Sequence, residues 1–110
     1  MFGKKKRTEA KIGTAFESLL FYRMDPSRNI DEQAFELADC ITAHRAVICN
    51  FEKIESVDDV NRVVAFLSGV VYATDGETHR LGKETFLFGS EVAFEDGTLH
   101  QYTKEVTKFN

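Results

Sequence analysis

Apolar positions in this chain change between helical and extended periodicity, and the clearest helical stretch carries two apolar faces. Val60, Val63, Val64, Leu67 and Val71 recur at helical spacing and predict a face buried in a core. Opposite them run Ala65, Gly69 and Ala73, each four residues apart. Small residues at that spacing let another helix backbone approach closely. A helix lying on a sheet needs only the first face, so this one is expected to meet a partner as well. Ser56-Val57-Asp58-Asp59 resembles a capping box with Asp in place of Glu and starts the helix. Asp75-Gly76 ends it, with Gly76 expected in the left-handed conformation.

The other elements follow from the same reading. Ile30, Ala34, Leu37, Ala38 and Ile41 keep helical spacing and predict a helix over Ile30 to Ala43, capped by Asn29 or Asp31. The run Arg45 to Phe51 does not alternate with polar residues, which predicts a central strand covered on at least one face. Ile12 to Met24 fits both a helical face in its first half and a strand in its second, the strand stopped by Asp25-Pro26-Ser27. Glu77 to Leu81 and Thr85 to Phe88 read as strands joined near Gly82-Lys83, with Phe86-Leu87-Phe88 buried on both faces. Val92 to Phe94 and Leu99 to Tyr102 flank Asp96-Gly97 and read as a terminal hairpin. The expected fold is α+β, a single β-sheet of about five strands with two helices packed on one face. Residues 1–11 are expected to form a basic flexible tail, and residues 12–110 a single domain.

Composition narrows the classes of function. The 110 residues suffice for one modest core, with 43% hydrophobic and 29% charged residues. Eighteen acidic against 14 basic residues give a net charge of −4, which argues against a nucleic-acid binder. No apolar run is long enough to span a bilayer, and Lys4 to Arg7 is not followed by the unbroken apolar region of a secretory signal. Cys40 and Cys49 are expected as free thiols in a reducing cytosol, although their spacing alone permits a bridge. Phe2 with Lys4, Lys5, Lys6 and Arg7 has two readings: a weak anchor to an anionic membrane surface, or a solubilising end.

Candidate chemistry is sparse. Cys40 and His44 lie four apart on the first predicted helix, but two residues do not make a zinc site. His79 and His100 fall on predicted strands without ligand spacing. Ser68 lies mid-helix without a nucleophile turn, and Cys49 reads as an inert core thiol. Asp58 and Asp59 are explained by the helix dipole rather than by acid–base work. Gly76, Gly82 and Gly89 are too dispersed for a phosphate loop. No enzymatic activity and no cofactor are expected.

Two adjacent blocks resemble the SepF family of prokaryotic cell-division proteins. The first is His44-Arg45-Ala46-Val47-Ile48-Cys49-Asn50-Phe51; the second runs from Asn61 to Ala73 and contains Phe66-Leu67-Ser68-Gly69. Gly76, His79-Arg80-Leu81-Gly82 and Phe86-Leu87 continue the similarity in register, which covers Leu20 to Val92. The resemblance implies a non-catalytic dimeric α/β core that binds the C-terminal tail of the tubulin-like protein FtsZ. It also implies an N-terminal membrane-targeting segment and assembly of dimers at the division site.

Residue by residue, Gly69 matches a glycine at a helix-mediated self-association surface, extended here to Ala65, Phe66, Ala73 and Gly76. Gly76 matches the glycine closing that helix, and Arg80 and Phe86 match positions lining the pocket for the FtsZ tail. The chain departs from the family at Ala65, where Asp is usual, and at Phe88-Gly89-Ser90, where a Pro-containing stretch is usual. Only Met1 to Arg7 stands where an anchor is expected, unless Ile12 to Leu20 folds as an amphipathic helix, and Asp96-Gly97 lies beyond the usual core. The expected protein is a cytoplasmic division-site tether between FtsZ polymers and the inner face of the membrane. The alternative is a small dimeric regulatory or ligand-sensing domain that does not act on FtsZ.

Overall fold

Two strands that are apolar on both sides hold the middle of the sheet. The computed structural model describes residues 13–108. Strand β1 (Leu20–Arg23), helix α1 (Ile30–Thr42), strand β2 (Val47–Asn50), helix α2 (Val57–Ala73), and strands β3 (Glu77–Arg80) and β4 (Thr85–Gly89) follow in the expected order. Helices α3 (Glu91–Phe94) and α4 (Thr98–Thr107) complete the described chain. The sheet order is β1-β2-β4-β3, with β1 parallel to β2 and the other pairs antiparallel. Val47 faces Phe88, Ile48 faces Leu87 and Cys49 faces Phe86 across the central pair.

The pleat sends alternate residues to opposite sides. Val47, Cys49 and Phe88 meet Leu37 and Ile41 of α1 and Val63, Leu67 and Val71 of α2. Ile48 and Leu87 point the other way and pack with Leu19, Leu81, Phe94 and Leu99. Each fully buried Leu, Phe or Ile side chain contributes about 1.5–3 kcal/mol. Buried Gln33 ties β1 to α1: its Oε1 accepts from Tyr22 OH at 2.7 Å and Asp25 N at 2.8 Å, and its Nε2 donates to Asp25 O at 2.8 Å. Extended structure begins at Leu20, and the preceding described residues form a turn that buries Ala15. The basic stretch Phe2 to Arg7 lies outside the described residues.

The C-terminal hairpin is not formed, and among the described residues the sheet has four strands rather than about five. Val92 to Phe94 belongs to α3, and Leu99 to Tyr102 to α4. Leu99, Tyr102 and Val106 pack toward Ile48 and Leu87 at helical spacing, so α4 covers the second sheet face. Asp-Gly here starts a helix instead of closing a hairpin. Gly97 sits at φ 82°, while Asp96 Oδ1 accepts from Thr98 N at 3.0 Å and Thr98 Oγ1 at 2.8 Å. Asp96 Oδ2 also accepts from Ala15 N at 2.8 Å, tying the turn around Ala15 to the start of α4. The two long helices α1 and α2 do share one face, as expected, but the opposite face is covered too.

Helix α2 ends with a different division of labour from the one its sequence suggests. Asp75, not Gly76, is left-handed, at φ 55°. Asp75 N donates to Tyr72 O at 3.1 Å and Gly76 N to Val71 O at 2.9 Å, the paired bonds of a Schellman motif. Helix α1 ends the same way: His44 lies at φ 69°, with His44 N on Ile41 O and Arg45 N on Cys40 O, both at 2.9 Å. Gly76 is required for space. A Cβ there would overlap the Gly89 carbonyl oxygen and lie 2.7 Å from Ser90 Cα. Gly76→Ala is therefore expected to destabilise the fold by about 2 kcal/mol or more, because the obstacle is backbone. Asp75→Gly is expected to stabilise it by about 0.5–1 kcal/mol by relieving a left-handed non-glycine residue. Urea denaturation of the two variants checks both signs.

Candidate binding groove and helix face

The β3–β4 hairpin brings together the two residues singled out for tail binding. Arg80 and Phe86 are register partners across the strands. The Arg80 guanidinium carbon lies 5.5 Å from the Phe86 ring centroid, within cation–π range. The same guanidinium donates from Nε to Gly82 O at 3.1 Å and from Nη2 to Lys83 O at 2.6 Å, which ties it to the hairpin turn. Phe86 packs edge-on to Phe51 at 5.9 Å and stacks on Phe88 at 6.1 Å. Together they border an open groove of about 560 Å³ between the hairpin and the start of α2. Ile54, Val57, Val60 and Val64 supply its apolar wall, and Lys83, Glu52, Glu55 and Glu84 also line it. Val57 is 69% exposed, so this wall stands open to solvent. Sites of this kind, apolar with a few placed charges, suit an amphipathic peptide.

A second accessible surface is the outer side of α2. Ala65, Gly69 and Ala73 are all exposed, and Tyr72 is 84% exposed. Phe66 is partly exposed and meets Phe35 of α1 edge-on at 5.6 Å. Of the face expected to be buried, Val63, Leu67 and Val71 are buried, whereas Val60 and Val64 are only half-buried because they reach the groove. Gly76 stands apart from this surface, turned toward the end of β4.

The remaining candidates separate. Cys40 and Cys49 are free thiols. Burial pushes the Cys49 thiol up to about 12, so it stays protonated and unreactive at neutral pH. His44 places Nδ1 2.9 Å from Ser90 Oγ. Ser56 caps α2 by accepting from Asp59 N at 3.1 Å, and the Asp59 carboxylate accepts from Arg62 Nη1 at 2.8 Å, so Asp59 serves the helix start. His79 and His100, which have no ligand spacing in the sequence, converge on Glu77. His79 Nε2 lies 2.7 Å from Glu77 Oε1 and His100 Nε2 lies 2.8 Å from the same oxygen. Burial raises the Glu77 carboxyl, but its hydrogen bonds to His79 and His100 outweigh that and hold it below the usual range. His100 reaches this cluster because Leu99 to Tyr102 is helical and not extended. The helical spacing of Leu99, Tyr102 and Val106 was the available signal.

A four-stranded mixed sheet with an open apolar groove and an exposed small-residue helix face defines an α+β domain with two accessible surfaces. No helix among the described residues is long and apolar enough to cross a membrane. The family model for "Cell division protein SepF" matches residues 28–91. The chain is 39% identical over 83 residues to a cell division protein SepF of Oceanobacillus iheyensis, covering 76% of this chain and 56% of the relative. It is 40% identical over 73 residues to the SepF of Bacillus licheniformis and 37% identical over 73 residues to that of Bacillus subtilis. Each of those matches covers 66% of this chain and 48% of the relative. The chain belongs to the SepF family, and it spans about half the length of these relatives.

A Cβ added at Gly69 would meet nothing within 4 Å. Gly69→Ala is therefore expected to stabilise an isolated chain by about 0.5–1 kcal/mol, the gain of replacing a helix-interior glycine. Thermal unfolding at low protein concentration measures it, and a loss of stability would show that the glycine is already packed.

Proposed function

We propose that this chain acts in cell division by binding the C-terminal tail of FtsZ in the Arg80–Phe86 groove and linking FtsZ polymers to the inner face of the membrane. The observation that carries this reading is the stacked Arg80–Phe86 pair beside an open apolar groove. An extended or helical peptide can lay apolar side chains against Ile54, Val57 and Val64 while the guanidinium meets a carboxylate or carbonyl. Family membership directs the choice of FtsZ as the peptide's source.

In this reading the chain works as a homodimer, joined through Ala65, Phe66, Gly69 and Ala73 on the outer face of α2. Exposed small residues flanked by Phe66 and Tyr72 support close helix–helix packing with a second copy. Pairing also raises the avidity of weak attachments, including that of Phe2, Lys4, Lys5, Lys6 and Arg7 to anionic lipid.

Fluorescence anisotropy with a labelled FtsZ C-terminal peptide tests the groove. Phe86→Ala and Arg80→Ala are each expected to raise Kd about tenfold or more, as anchor residues of a small interface do. Circular dichroism accompanies Arg80→Ala, because its bonds to the turn also end. Absence of binding by the unaltered chain would favour a regulatory domain that does not act on FtsZ. For the helix face, Gly69→Lys is expected to lower the mass seen by analytical ultracentrifugation to that of a single chain. An unchanged mass would remove α2 from the interface.

A further inference from the structure

We propose that Glu77, His79 and His100 form a binding site for a divalent transition cation of the zinc type, held between strand β3 and helix α4. The fold assembles this site from positions far apart in sequence. Glu77 and His79 are two apart on β3, which puts both side chains on one sheet face. His100 comes from the first turn of α4, which packs over that face.

Two imidazole nitrogens and one carboxylate oxygen are a donor set that zinc takes, with a further position left for water. The three residues each offer a ligand atom, and these atoms all lie within 4.8 Å of one another. Glu77 Oε1 is 2.7 Å from His79 Nε2 and 2.8 Å from His100 Nε2. Tetrahedral bonds of about 2.0–2.2 Å place ligand atoms about 3.3–3.6 Å apart. Opening each contact by about 0.5–0.9 Å therefore admits the ion. Glu77 and His79 are half-buried and His100 is exposed, so the site is open to solvent on one side.

The imidazoles are also held in place before any ion arrives. The Phe94 ring lies 5.6 Å from the His79 ring and 4.8 Å from the His100 ring. Phe94 is itself only 6% exposed and packs against Gly89, where an added Cβ would fall 2.8 Å from its ring. Ligands fixed on a strand and a helix by a buried aromatic lose little freedom on binding. Nitrogen donors select zinc-like ions over magnesium and calcium, which take oxygen sets. A bound ion would cross-link β3 to α4 and so fasten the helix that covers the second sheet face.

Calorimetric titration of the full chain with zinc chloride, with magnesium chloride as comparison, tests the site. The expected result is one zinc per chain, no magnesium binding, and tetrahedral d–d absorption when cobalt(II) replaces zinc. A hundredfold excess of zinc over its Kd is expected to raise Tm by about 10 °C. His100→Gln and His79→Gln are expected to weaken zinc binding by more than about a hundredfold, a greater loss than outer-shell changes cause. His44→Gln, outside the cluster, is expected to leave it unchanged. His100 is exposed, so its variant keeps the fold, and circular dichroism confirms that. Failure of the unaltered chain to take zinc, or equal affinity in His100→Gln, overturns the proposal and leaves the cluster as a hydrogen-bonded surface group.

Discussion

The structure depends on one pairing, that of β2 with β4, in which both strands are apolar on both faces. Val47, Cys49 and Phe88 are fully buried on one side, and Ile48 and Leu87 are buried on the other. A sheet of this kind must be covered twice. Helices α1 and α2 cover the first face, and α4 with the turn around Ala15 covers the second. Because α2 spends only Val63, Leu67 and Val71 on full burial, its outer face is left over. Val57, Val60 and Val64 of α2 open onto a groove bordered by the β3–β4 hairpin. Both accessible surfaces are thus consequences of how the central pair is covered.

Most of that arrangement was legible in periodicity. The order from β1 to β4 and the two long helices follow from apolar spacing and from Ser56 and Asn29 as caps. Phe86-Leu87-Phe88 announced that both faces are buried. What supplies the second cover was not legible, because Asp96-Gly97 is a strong hairpin signal when read locally. The competing signal, Leu99, Tyr102 and Val106 at helical spacing, is only three residues long. Tertiary burial decides between them, since a terminal hairpin would leave Ile48 and Leu87 without the cover that Leu99 provides.

The end of α2 departs from its sequence expectation for a related reason. Glycine marks the left-handed position in most Schellman motifs, but here Asp75 and His44 occupy it. The neighbouring Gly76 answers a different demand, the close approach of β4, which involves residues over ten positions away. The candidate sites divide along the same line. Arg80 and Phe86 were found by family resemblance, and strand register then explains why they touch. Glu77, His79 and His100 meet only because α4 is a helix, so no linear spacing rule reaches them. The chain belongs to the SepF family of cell-division proteins, and in our proposal it is an adaptor that recognises a peptide in the open groove.

The groove's role is tested most directly by nuclear magnetic resonance, titrating the isotope-labelled chain with unlabelled FtsZ C-terminal peptide. Binding in the groove is expected to concentrate shift changes at Phe51, Val60, Val64, Arg80 and Phe86, with Phe21 and Tyr102 on the opposite sheet face unmoved. Shift changes centred on Phe21 and Tyr102, or none at saturating peptide, would contradict it.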